Sequence, residues 1–189
     1  MKTKDPQKVA AIYRATLALV YSEGLSGVKM AAVAKASGVA TGTLYVYFES
    51  KTALLNSLYQ RLKSERDVYL SPELSTGPVK QQLKRLWDDS LTYYYSHQRE
   101  TFFMEQFLNS AYCNDASKSL SEQMLQGLYD LLERGKAELI IKDMDNPLLL
   151  CLLSGFLKAV ASRWREQEQT LTPQMLAQSF QLCWDAIKA

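Results

Sequence analysis

An all-α fold is predicted by three observations. Apolar residues recur at three- and four-residue steps along nearly the whole chain. No long stretch alternates with period two, and β-branched residues are sparse. Pro72, Pro78, Pro147 and Pro173 fall at the breaks or the starts of the helical segments. The chain has 189 residues and 47% apolar side chains, enough for a sizeable core and too many for a disordered tail.

Nine helices follow from this spacing. The first spans about 5–23, where Val9, Ile12, Tyr13, Leu17, Val20 and Tyr21 share one face and Gly24 offers a C-terminal cap. Short helices are predicted at about 29–36 and 40–47, and a longer one at about 50–69. Ser71-Pro72 and Ser75-Thr76-Gly77-Pro78 interrupt the pattern, because proline cannot continue a helix. Helices are then expected at about 78–97, 99–112, 117–139, 146–167 and 172–187. Asn146-Pro147 and Thr172-Pro173 are start signals, each a capping residue followed by proline.

The segment from Met30 to Phe48 carries the chemistry. Ala31, Ala34 and Ala36 are small enough for a second helix to cross closely. Gly38 can adopt the positive φ of a tight turn at Ser37-Gly38-Val39. Val33, Val39, Leu44 and Phe48 form the small core that fixes the crossing, as in a helix-turn-helix whose second helix enters the major groove. That helix opens with Ala40, Thr41, Gly42 and Thr43, side chains small enough for close backbone approach to DNA. Thr41 and Thr43 suit base edges or thymine methyls, and Tyr45 and Tyr47 suit phosphate oxygens. Lys51 adds a charge-assisted phosphate contact, with Lys2, Lys4 and Lys8 as further backbone contacts.

Residues about 9–58 resemble the DNA-binding domain of TetR/AcrR-family transcriptional regulators. The resemblance rests on the helix ending at Gly24, then Val33-Ala34, Ser37-Gly38-Val39, Gly42-Thr43-Leu44-Tyr45, Tyr47-Phe48, Lys51 and Leu54-Leu55. It implies a homodimeric regulator of double-stranded operator DNA, usually a repressor released by a small-molecule effector. Val28-Lys29 stand where the family usually has Thr or Ser, so Ser26 is the candidate cap and Lys29 the candidate phosphate contact. Ala40-Thr41 replace the usual polar start of the recognition helix, so contacts led by Thr and Tyr are expected, with no Arg-to-guanine readout. The expected division is a DNA-binding domain at 1–50, a linking helix at 51–70 and a ligand-binding and dimerisation domain at 71–189.

Charge and side-chain inventory fit that division. Residues 1–66 hold 10 Lys/Arg against 4 Asp/Glu, and the remainder holds 12 against 16. A basic first third on an acidic remainder points one end at a polyanion. Cys113, Cys151 and Cys183 are far apart in apolar runs, and His97 is the only histidine. Neither a metal site nor a catalytic constellation is expected, no cofactor is implied, and the cysteines read as buried, reduced thiols. The apolar run Leu148–Leu157 is short for a span and precedes Lys158, so no membrane association is expected and the predicted location is cytoplasmic.

The larger domain is rich in aromatics. Trp87, Tyr94, Phe103, Phe107 and Tyr129 are the candidate lining of an effector pocket, with Asp88, Asp89 and Glu105 nearby in sequence. Residues Leu148–Leu153 are apolar on every side of their helix, so one face needs a partner. Leu152, Phe156 and Ala159, with Phe180 and Trp184 of the last helix, are the expected four-helix dimer interface. The alternatives to a repressor are a ligand-dependent activator, or a helical interaction protein that does not read DNA.

Overall fold

The computed structural model describes residues 5–67 and 77–189. Among the described residues there are nine α-helices. They are α1 (Pro6–Gly27), α2 (Met30–Ser37), α3 (Thr41–Tyr47), α4 (Lys51–Asp67), α5 (Val79–Ser96), α6 (Gln98–Leu108), α7 (Asp115–Ala137), α8 (Asn146–Glu166) and α9 (Pro173–Ile187). One isolated antiparallel bridge, Ile141 to Lys188, is the strand-like pairing among the described residues. Lys2, Lys4 and the expected break at 71–76 lie outside the described residues.

Local chemistry sets most boundaries. The Asp5 carboxylate accepts from the Gln7 amide at 2.9 Å, and Pro6 occupies the first turn of α1, where its missing N–H has no helical partner to lose. Thr172 and Pro173 repeat this at α9, with the Thr172 hydroxyl accepting from the Met175 amide at 3.3 Å. The expected stop at Gly24 is instead a kink inside α1. Gly24 has φ +70°, and one further turn continues to Gly27.

Two compact units form. The first comprises Met1–Glu65 and Gln98–Leu120, and the second Arg66–His97 and Ser121–Ala189. The first unit thus takes in most of α4, expected as a separate linking helix, with α6 and the start of α7, besides the expected 1–50 segment. Its core is Ile12, Val20, Val33, Leu44, Leu54, Leu55, Leu58 and Tyr59 together with Phe103 and Phe107 of α6, all fully buried. Each such aliphatic or Phe side chain contributes about 1.5–3 kcal/mol by leaving water. The second unit packs α5 against α8 and α9. Its core includes Trp87, Leu91, Leu132, Leu149, Ala161, Phe180 and Trp184.

Candidate nucleic-acid interface

The α2–α3 crossing is built by its turn. Gly38 ends α2 in the left-handed region, with φ 69° and ψ 22°. Its amide donates to Lys35 O at 3.3 Å, and the Val39 amide donates to Ala34 O at 3.0 Å. The Ser37 hydroxyl donates back to Val33 O at 2.7 Å. Val33 and Leu44 are fully buried, Phe48 nearly so and Val39 half-buried, which is the small core the sequence predicts.

That core aims α3 outward. Leu44 is its one buried residue. Thr41, Gly42, Tyr45 and Val46 are exposed, and Thr43 and Tyr47 are half-buried. A Cβ added at Gly42 would meet nothing within 4 Å, so the chain's own packing does not require a glycine there. Val46, 77% exposed, is the most exposed large apolar residue of this segment and was not among the sequence candidates. Its signal lay in the register: once Leu44 and Phe48 point inward, position 46 points away from the core.

The flanking groups divide into surface and scaffold. Lys29 is exposed at the N-cap of α2, which has no side-chain cap, so the expected Ser26 cap does not form. The Tyr47 hydroxyl accepts from the Asp5 amide at 3.1 Å, fastening α3 to the start of α1. Lys51 is turned toward the protein. Its ammonium donates to Leu25 O at 2.5 Å and Ser26 O at 3.3 Å, closing the C-terminal end of α1. It also lies 4.6 Å from the Tyr112 ring centroid. Sequence spacing cannot reveal this, because a lysine reads the same whether it meets phosphate or a backbone carbonyl. An open groove of about 320 Å³ runs between the start of α1 and the turn, lined by Asp5, Gln7, Lys8, Ala11, Ser37–Ala40 and Thr43.

The five aromatics expected in one pocket belong to two packing units. Phe103 and Phe107 are fully buried in the first, where Phe107 meets Tyr59 at 4.9 Å between centroids. They are core because α6 packs on α1. Trp87 is core of the second unit. Its indole N–H donates to the Ser179 hydroxyl at 3.0 Å, and its ring stacks on Phe156 at 5.7 Å. Tyr94 and Tyr129 are half-buried against the same core, and the Tyr94 carbonyl accepts from Arg165. Asp88 accepts from Lys84 at 2.5 Å. Burial, and then the neighbouring Asp88, raise the Asp89 carboxyl above its ordinary range.

The expected pairing face is corrected in part. Phe180 and Trp184 are buried in the second unit's own core, so neither is offered to a partner. Leu152 and Ala159 are exposed, and Phe156 turns its ring to Trp87. The outward side of α8 carries Leu148, Cys151, Leu152, Gly155 and Ala159, and α9 exposes Leu182 at 65%. The step of these aromatics matches that of a surface stripe, whereas α9 turns them inward and leaves Leu182 outside. Cys151 is therefore exposed, unlike Cys113 and Cys183. Burial pushes the Cys183 thiol up to about 12. Among the described residues no group of three or more His, Cys, Asp or Glu is placed to hold a metal ion. At 21 residues α8 is longer than the predicted apolar run and meets the length and hydropathy of a membrane span. Its Leu149, Leu157 and Ala161 are nonetheless buried against the protein.

Comparison with known proteins extends this geometry. Residues 12–58 match the family model of bacterial regulatory proteins of the tetR family. Residues 57–189 match that of the tetracyclin repressor-like C-terminal domain. A curated HTH-type transcriptional regulator of Haemophilus influenzae is 26% identical over 182 residues, covering 94% of this chain and 94% of that protein. The crystal structure of a TetR family transcription regulator from Marinobacter aquaeolei shares the fold with a TM-score of 0.86 and 24% identity, over 100% of this chain and 99% of that one. The regulator FadR of Bacillus subtilis, solved in complex with stearoyl-CoA, shares it with a TM-score of 0.65 and 18% identity, over 92% and 95%.

Proposed function

This chain belongs to the tetR family and is a DNA-binding transcriptional regulator, and from that premise we propose that it is a homodimeric repressor released by a small apolar or aromatic effector. The observation that carries the DNA contact is the outward surface of α3. Thr41, Gly42, Thr43 and Tyr45 face the major groove, and Val46 joins them. Lys8 and Lys29 supply phosphate contacts from the flanks, and Tyr47 and Lys51 hold the reading helix in place. A cytoplasmic location goes with this role.

Two copies pair through Leu148, Leu152, Gly155 and Ala159 of α8 with Leu182 of α9. Leu148, Leu152 and Leu182 of this face are exposed among the described residues. Pairing sets two α3 helices about 34 Å apart, for successive major grooves of a near-palindrome. The half-buried Tyr94, Tyr129 and Phe156 beside the second unit's core are the candidate effector contacts. The stearoyl-CoA carried by FadR, a protein alike in fold, is consistent with an apolar effector class. Effector release requires tighter binding to the state with lower operator affinity.

Selection of genomic fragments by the purified protein, with affinities measured at two salt concentrations, tests the proposal. One preferred near-palindromic site, bound more weakly at higher salt, is expected. Weak binding that is uniform across fragments contradicts it.

A further inference from the structure

We propose that Asn56 is a positioning residue that couples the reading head to α7, a helix that begins in the first unit and continues into the second. The inference rests on the DNA-binding function proposed above. Asn56 lies in α4 and is 5% exposed. Its amide nitrogen donates to Thr52 O, one turn back, and to Tyr112 O, each at 2.8 Å. Its amide oxygen accepts from the Asn114 amide at 3.2 Å and from the Ser117 hydroxyl at 2.8 Å. Two donors and two acceptor positions are thereby filled, the full capacity of the side chain.

Two of those four bonds reach the connection between α6 and α7 and a third reaches Ser117 in the first turn of α7, 56 to 61 residues away in sequence. Asn114 in turn caps α7, its side-chain oxygen accepting from the Ser117 amide at 2.9 Å. Asn56 thus grips the first turn of α7 through both the cap residue and a hydroxyl inside the helix. Ser117 is itself fully buried, which leaves water no place in the contact.

The other end of the connection reaches the DNA-facing helices. Tyr112, whose carbonyl Asn56 holds, lies with its ring 4.6 Å from the Lys51 ammonium. That ammonium holds Leu25 O and Ser26 O, just ahead of α2. One network, buried at Asn56 and Ser117 and half-buried at Lys51 and Tyr112, therefore spans the entry to α2, the first half of α4 and the start of α7. An apolar side chain at position 56 fills the same space without direction. A saturated amide instead allows one register, and a displaced α7 must break several of its bonds together.

Linkage makes this testable without knowing the effector. If α7 and the reading head share one equilibrium, DNA bound at α3 must slow amide exchange at the start of α7. The experiment is hydrogen exchange of the full chain, free and bound to its selected duplex, in wild type, Asn56→Ala and Ser117→Ala. The readout is the bound-to-free rate ratio for residues 113–120, taken within each protein, so that a change in stability cancels. Wild type should show slowing of about fivefold or more, the lower end for coupled sites. Asn56→Ala should abolish it and Ser117→Ala reduce it, while slowing across 41–47 persists in both. If Asn56→Ala fails to fold, Ser117→Ala decides alone. Equal slowing at 113–120 in all three proteins, or none in wild type, overturns the coupling. Absence of slowing at 41–47 in wild type overturns the DNA-binding assignment instead.

Discussion

α3 and the outer face of α8 both expose what folding alone leaves unexplained, but they expose opposite chemistry. α3 has seven residues and buries one. Its surface is hydroxyls, a phenol, a glycine and one aliphatic. α8 has 21 residues, and its outer face is aliphatic and small, with Leu148, Leu152, Gly155 and Ala159. Gly42 and Gly155 have open space where a Cβ would stand, although each weakens its helix by about 1 kcal/mol relative to alanine. Gly127 in α7 is equally open, so openness alone does not mark a contact. What differs is the company each glycine keeps. Hydroxyls around a close-approach position suit a hydrated, charged and transient partner, whereas aliphatics suit one that stays.

The contrast is broken most severely from the α8 side. Ala159→Arg places an unpaired charge on the proposed pairing face and should dissociate the dimer, which sedimentation would register as a halved mass. Operator affinity should then fall about 10³-fold or more, toward the non-specific level, although α3 is untouched. An unaltered mass would remove α8 from the interface.

From the α3 side, Leu44→Ala attacks the support. It should destabilise the first unit by about 2–5 kcal/mol, seen as a lower calorimetric transition, with DNA binding lost as the head loosens. Tyr45→Ala leaves the fold intact. It should weaken operator binding by about 1–3 kcal/mol, read by titration at fixed salt. A loss from Tyr45→Ala that appears equally on unrelated DNA marks the phosphate contact expected of Tyr45, whereas a loss confined to the operator would make it a base contact.

Thiol labelling sets the outer face of α8 against the buried core behind it. At neutral pH Cys183 should resist until unfolding, because burial holds its thiol protonated up to about 12. The exposed Cys151 should label slowly in the dimer and quickly in the Ala159→Arg chain. Rapid labelling of Cys151 in the undiluted wild-type protein would argue that the face is open. The smallest effect is the most specific in sign. Gly42→Ala should stabilise the chain by about 0.5–1 kcal/mol while weakening operator binding.

Much of this was legible in the sequence because it is local. Helical spacing, the Thr172-Pro173 start and the turn at Gly38 depend on residues a few positions apart. The exposure of Thr41 and Tyr45 follows from the register that buries Leu44 and Phe48. What remained hidden depends on distant partners. Phe180 and Trp184 share the step of a surface stripe, yet they face inward because α5 lies against them. Lys51 closes α1, and Asn56 is saturated by atoms at 112–117. Periodicity reports which face is apolar, but not which neighbour covers it.

The central claim is that α3 reads DNA in pairs set by α8. Hydroxyl-radical footprinting of the selected fragment tests it most directly. The account predicts two protected patches related by a twofold axis, centred about 34 Å apart along the duplex, and lost together in Ala159→Arg. A single patch that survives Ala159→Arg, or protection unaffected by Tyr45→Ala, would contradict it.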